Sequence, residues 1–179
     1  MIILPTPKSL SKPFLLNQQE KINWMKRLLS KAKLIGDRGE VPIAALILDK
    51  KGRCIGYGAN RRETMKDPLG HAELVALRQA SWINNDWRFN SCTLIVNLEP
   101  CPMCAGALIQ ARMGSIIYGT EDPKRGALGG TMNLAKHKSA HHKMLIEGGV
   151  MEKESSKIIV DWFKDKREEA KGNLLSKLR

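Results

Sequence analysis

Residues 93–120, TLIVNLEPCPMCAGALIQARMGSIIYGT, decide the fold. TLIVNL (93–98) and SIIYGT (115–120) are apolar runs of strand length, and PMCAGALIQARM (102–113) between them reads as a helix. Neighbouring parallel strands need a crossover of about a dozen residues or more, usually a helix. Strands with few polar positions are covered on both faces. The segment is therefore expected to be a parallel β-helix-β unit with its first strand buried, which makes the chain α/β.

Outward from this unit the pattern alternates again. HAELVALRQASW (71–82) reads as a helix, while Val41 to Leu48 and Arg53 to Gly58 are apolar runs joined across DKKG (49–52). The Asp and Gly of that link suit a tight reversal, so the two runs form an antiparallel hairpin. Ile22, Met25, Leu28, Leu29 and Ala32 make the stripe of an amphipathic helix from about Asn17 to Ile35, ending near Gly36. After a glycine-rich loop, a short helix is expected around 131–136, an edge strand around 144–147 and a final helix over 154–171. The expected architecture is an α/β sandwich around a mixed five-stranded sheet. It occupies one domain, 17–172, with 1–16 as a loosely attached arm and 173–179 as a tail.

Composition sets bounds on partners and compartment. The chain has 179 residues, 42% hydrophobic, enough to bury one core. No apolar run approaches the roughly twenty residues of a membrane-spanning helix, so no membrane contact is expected. Residues 1–16 lack the basic start and continuous apolar segment of a secretory signal and the arginines of a transit peptide. Four cysteines, two of them in one C-x-x-C, fit a metal or redox site better than a disulfide scaffold, and the expected location is the cytoplasm. Thirty Lys and Arg against eighteen Asp and Glu leave a net charge of +12, which attracts polyanions such as nucleic acid and is equally compatible with a merely basic surface.

The chemistry lies in HAE (71–73) and PCPMC (100–104). Residues two apart on a helix point about 200° away from each other, so His71 and Glu73 can serve one site only at a first turn. Asp67, Pro68 and Gly70 just upstream mark such a start. Pro102 suits the first helical position, and Cys101 and Cys104, three apart, fall on one side of that helix start. There the positive end of the helix dipole lowers thiol pKa values. One imidazole and two thiolates bind zinc tetrahedrally, and three protein ligands with one open position describe a catalytic site. A water on that position is acidified by the metal, and Glu73 can take its proton and pass it to a leaving nitrogen, which is hydrolytic deamination. Each part also has a plainer reading. His71 alone suits a surface or satisfied core histidine, and C-x-x-C suits redox chemistry. Cys54 or Cys92 could close a structural tetrad, although each reads more simply as a small buried residue in or beside a strand.

NLEPCPMCAGALIQAR, GHAELVALRQ, GEVPIAALI and GTEDPKRGALGGTMNL resemble the bacterial tRNA-specific adenosine deaminases over about residues 20–170, in the same element order. H-x-E…P-C-x-x-C is the signature of zinc nucleobase deaminases generally. The resemblance implies a cytidine-deaminase-like three-layer αβα sandwich and a homodimer that binds a tRNA anticodon stem-loop across the subunit boundary. It also implies one Zn2+ per subunit and conversion of the wobble adenosine of an arginine tRNA to inosine by attack at C6. Position by position it implies His71, Cys101 and Cys104 as zinc ligands and Glu73 as proton shuttle. Asn60 would read the purine edge, Asp122 would face the ribose-phosphate, and Phe163 and Arg167 would contact the anticodon loop. Without the resemblance, Asn60 is a turn residue, Asp122 a solvated loop acid before Pro123, and Phe163 part of a packing stripe with Ile158, Ile159 and Trp162. Lys124, Arg125, Lys136, Lys138, Lys143, Lys164 and Lys166 would complete a phosphate-tracking surface or are simply solvated.

Two positions depart from the family pattern. Ala44 stands where glycine is usual beside the substrate pocket, which would narrow it slightly, and Asn133 replaces a common aspartate after GTM. Two competing readings remain: a related deaminase of free guanine, cytosine or a nucleotide such as dCMP, and a zinc-stabilised RNA-binding module without catalysis.

Overall fold

The computed structural model describes residues 15–176, and side chains through 173. The sheet consists of β1 (Ala44–Leu48), β2 (Cys54–Ala59), β3 (Thr93–Leu98), β4 (Ser115–Thr120) and β5 (Leu145–Glu147), in the order β2-β1-β3-β4-β5. β1 runs antiparallel to β2 and β3, whereas β3, β4 and β5 are mutually parallel, so the sheet is mixed as expected. The helices are α1 (Gln18–Gly36), α2 (Arg62–Met65), α3 (Ala72–Asn84), α4 (Pro102–Gln110) and α5 (Glu152–Ser176).

The pleat of β1 sorts the two faces, because successive side chains point to opposite sides. Ala45 and Ile47 pack with Ala72, Ala76, Leu77 and Ala80 of α3 and Ala105 and Leu108 of α4. Ala44, Leu46 and Leu48 pack with Met25, Leu28, Leu29 and Ala32 of α1, with Ile158 of α5 against them. Helices therefore cover both faces, giving the three-layer αβα sandwich. The methyl of Ala44 lies on the α1 face, away from α3 and α4, so it does not narrow a cleft on their side.

Local chemistry accounts for the element boundaries. Asn17 opens α1 with a capping box, accepting from the backbone of Glu20 while the Glu20 carboxylate accepts from the backbone of Asn17. The strand expected from Val41 begins only at Ala44, because Pro42 has no N–H and the Ile43 amide turns back to the Val41 carbonyl. The helix expected over 102–113 stops at Gln110, where Arg112 takes a left-handed φ of 53°. The short helix expected over 131–136 reduces to a 3-10 turn, Leu134–Lys136, capped by the Asn133 side chain. The amide of Asn133 also donates to the Leu128 carbonyl, a bond that a carboxylate could not make. α2 was not expected, and α5 runs on to Ser176. Most of the arm lies outside the described residues, but Leu16 is buried against the α1 face.

α3 sits directly on β2 because that strand carries glycine where the helix crosses it. A Cβ at Gly58 would collide with the Ala72 carbonyl oxygen and come within 2.6 Å of the Ala76 nitrogen, both of them backbone that cannot swing aside. Gly58→Ala is thus expected to lower stability by about 1–3 kcal/mol and to displace the first turn of α3. Urea unfolding and metal content measure the two effects. An unchanged midpoint with full metal loading would contradict the packing described.

Candidate metal centre and substrate cleft

His71 is the N-cap of α3 and Cys101 the N-cap of α4, both with extended backbone (φ −77° and −70°), and Pro102 occupies the first turn of α4. Neither side chain makes an N-capping hydrogen bond. They point at each other instead: His71 Nδ1 lies 3.6 Å from Cys101 Sγ and 3.5 Å from Cys104 Sγ. All three donor atoms fall within 4.8 Å of one another. With metal–nitrogen and metal–sulfur bonds of about 2.0–2.1 and 2.3 Å, a tetrahedral N···S edge is about 3.5 Å. The donor set thus has both the chemistry and the spacing of a zinc site. Among the described residues it is the one such group, and it includes neither Cys54 nor Cys92, so neither completes a tetrad. Cys54 is exposed and donates to the Gly56 carbonyl.

Glu73, in the first turn of α3, is buried beside these ligands and shares a hydrogen bond with Cys104. Burial pushes its carboxyl up to about 7, with the negative charge of Cys101 adding to the rise. His71 is raised by its hydrogen bond to Cys101. The bond from Cys104 is the largest influence holding the Cys101 thiol down, whereas Cys104 is pushed up by that bond and by burial. Both thiols must give up their protons to ligate a divalent cation, so metal binding here would be coupled to proton release.

The other sequence-indicated residues fall into two groups. Asn60 is buried just after β2, its amide nitrogen 3.4 Å from Glu40 Oε2. The next residue, Arg61, donates its backbone N–H to Gly70, which ties the chain just after Asn60 to the chain just before His71. Asp122 lies in the loop after β4, where its Oδ1 accepts from the backbone of Lys124 and Arg125 and shapes a turn. Phe163 and Arg167 are exposed on α5, which packs on the α1 face of the sheet, opposite α3 and α4. Trp162 beside them donates its indole N–H to the Gly36 carbonyl, which fastens α5 at the end of the sheet where the loop to Glu40 begins. Lys124, Arg125, Lys136, Lys138, Lys143 and Lys164 are exposed, while Lys166 pairs with Glu169.

Two carboxylates escaped the sequence reading. Glu40 accepts from the Thr64 backbone and hydroxyl and from Asn60. Glu99 accepts three backbone amides from the loop after β4. The available signal was an acid bordering an apolar run, Glu99 after TLIVNL and before P-C-x-x-C, and Glu40 before V-P.

A sequence profile of the MafB19-like deaminases matches residues 19–167. The tRNA-specific adenosine deaminase of Bacillus subtilis is 36% identical over 148 residues, covering 83% of this chain and 91% of that protein. The chain belongs to the tRNA-specific adenosine deaminase family. A solved structure from work on A-to-I editing by tRNA:A34 deaminases matches this deaminase with a TM-score of 0.71 at 35% identity, over 76% of this chain and 98% of the other. Guanine deaminase from Bacillus subtilis matches with a TM-score of 0.53 at 33% identity, over 59% and 66%. The tRNA(Ile)-lysidine synthase of Deinococcus deserti is 42% identical over 131 residues, but the deaminase spans only 24% of that relative. No helix among the described residues is long and apolar enough to cross a membrane.

Proposed function

We propose that this deaminase converts the wobble adenosine of an arginine tRNA to inosine, working as a cytoplasmic homodimer with one zinc ion per subunit. The observation that carries the reading is the His71–Cys101–Cys104 group with tetrahedral-edge spacing, set beside buried Glu73. Agreement with tRNA:A34 deaminases over nearly their whole length supports the substrate class. The net charge of +12 also supports it, since a free-base enzyme has no use for a polyanion-attracting surface.

His71, Cys101 and Cys104 would hold the zinc, which supplies Lewis acidity and a water ionisable near neutral pH. Glu73 takes a proton from the water that attacks C6 of adenine and passes it to N1, then takes the second proton from the new C6 hydroxyl and passes it to the departing amino group as the carbonyl forms. A C–O bond forms, the C6–N6 bond breaks, and ammonia leaves. The raised carboxyl of Glu73 suits a group that must both accept and give up a proton near neutral pH. Asn60 presents donor and acceptor together, which fits the purine edge, and its bond to Glu40 fixes the amide's orientation. Asp122 Oδ2 faces the ribose, and Phe163 and Arg167 meet the unpaired anticodon bases by stacking and charge.

A transcribed arginine tRNA incubated with the zinc-loaded protein is expected to acquire inosine at its wobble position, while free guanine, cytidine and dCMP release no ammonia. Ammonia from a free base with no inosine in tRNA would move the assignment to the small-molecule deaminases. RNA binding without either product would leave a binding module.

A further inference from the structure

We infer that Glu99 is a positioning residue, a buried carboxylate that ties the loop carrying Asp122, Lys124 and Arg125 to the strand end that presents Cys101. The inference rests on the functional reading above only in taking that loop as a substrate contact.

Glu99 directly follows β3, and its own N–H donates to Thr120 at the end of β4, extending the parallel ladder by one residue. Its side chain is 2% exposed. Oε1 accepts from the backbone of Leu128 at 2.8 Å and Gly130 at 3.0 Å, and Oε2 accepts from the backbone of Asp122 at 3.1 Å. No ion pair among the described residues includes it, and the side-chain hydrogen bonds given for it all come from backbone amides. The neighbouring Pro100 carbonyl accepts a fourth amide, that of Ala127, at 3.0 Å. The loop is built around the acid. A Cβ on Gly126 would strike Glu99 Oε2 and come within 2.6 Å of the Asp122 carbonyl, and one on Gly130 would lie 2.5 Å from the same Oε2. Two residues further on, Cys101 points at His71, so one short stretch of backbone sets both the metal ligand and the loop.

A carboxylate accepts at both oxygens, whereas a glutamine amide accepts at one and donates at the other. Glu99→Gln keeps the size of the side chain, but its NH2 must face an amide N–H. The orientation that preserves the two bonds at Oε1 gives up the one to Asp122. Gly126→Ala attacks the same contact by volume, with no change in charge. In the zinc-loaded protein each single variant is expected to retain one zinc per chain, to raise KM for an arginine anticodon stem-loop about tenfold, and to leave kcat within about threefold. The effects of the two substitutions on KM are expected to combine to less than their product, because both disturb the contact between Glu99 and Asp122. Amide hydrogen exchange at Asp122, whose N–H loses its acceptor, should accelerate in both, a readout that needs no substrate. Wild-type exchange rates in both variants, multiplying effects on KM, or an equal fall in kcat with loss of zinc would overturn the inference. Failure of the wild-type protein to form inosine would instead count against the functional reading, and the exchange measurement would still decide the role of Glu99.

Discussion

Glu73→Gln is expected to lower kcat for inosine formation by about 10²–10⁴-fold, the range attributed to a positioned general acid–base group. Zinc content and RNA affinity should be unchanged. The substitution preserves the shape of a side chain sealed in the first turn of α3, so the fold has no reason to move. In the proposed reaction it removes the carboxylate beside the His71–Cys101–Cys104 group that cycles a proton between water and the leaving amine. A variant that still forms inosine at the wild-type rate would take Glu73 out of the mechanism, and one that also loses RNA binding would make it a structural acid.

The same variant should show a second effect in metal-depleted protein. Burial raises the folded-state carboxyl to about 7 from an ordinary value of 4.5. Between these values the folded chain binds more protons than the unfolded one, so the contribution of Glu73 to stability declines as pH rises through that window. Metal-free Glu73→Gln is therefore expected to be more stable than the metal-free parent at pH 8, by an amount on the order of 3 kcal/mol, with the advantage vanishing toward pH 4.5. Denaturant midpoints at the two pH values measure it. An advantage that grows as the pH falls would have the wrong sign.

Cys104→Ser is expected to abolish activity by more than about 10³-fold, because a serine hydroxyl stays protonated near neutral pH and is a poor zinc ligand. Cys104 is completely buried with its sulfur 3.5 Å from His71 Nδ1, so nothing in solvent can replace it without rearranging α4. Zinc per chain should fall well below one. The thermal midpoint should fall with it, since a metal bound only by the folded state stabilises that state. Cys92→Ser is the control: Cys92 is also buried but lies outside the ligand group, and its variant should keep metal and turnover. A Cys104→Ser protein with one zinc per chain and normal turnover would place the metal elsewhere.

The chain's own chemistry determined the parallel unit from Thr93 to Thr120, the hairpin, the amphipathic α1 and the two helix starts that bring histidine and thiols together. These are local: periodicity and turn residues declare a strand or helix, and a Pro or Gly beside a C-x-x-C or H-x-E limits where the side chains can point. The candidate metal-binding group and the nearby Glu73 were legible for that reason. Only the tertiary structure decided which face of the sheet each residue joins, as with Ala44, whose methyl turns toward α1. It alone also decided that Glu40 and Glu99 hold Asn60 and the 122–130 loop in place. Their partners lie 20 or more residues away in the chain and are mostly backbone amides, which every residue but proline carries. A bond to such a donor leaves no mark in side-chain pattern, so it emerges only when the chain has folded.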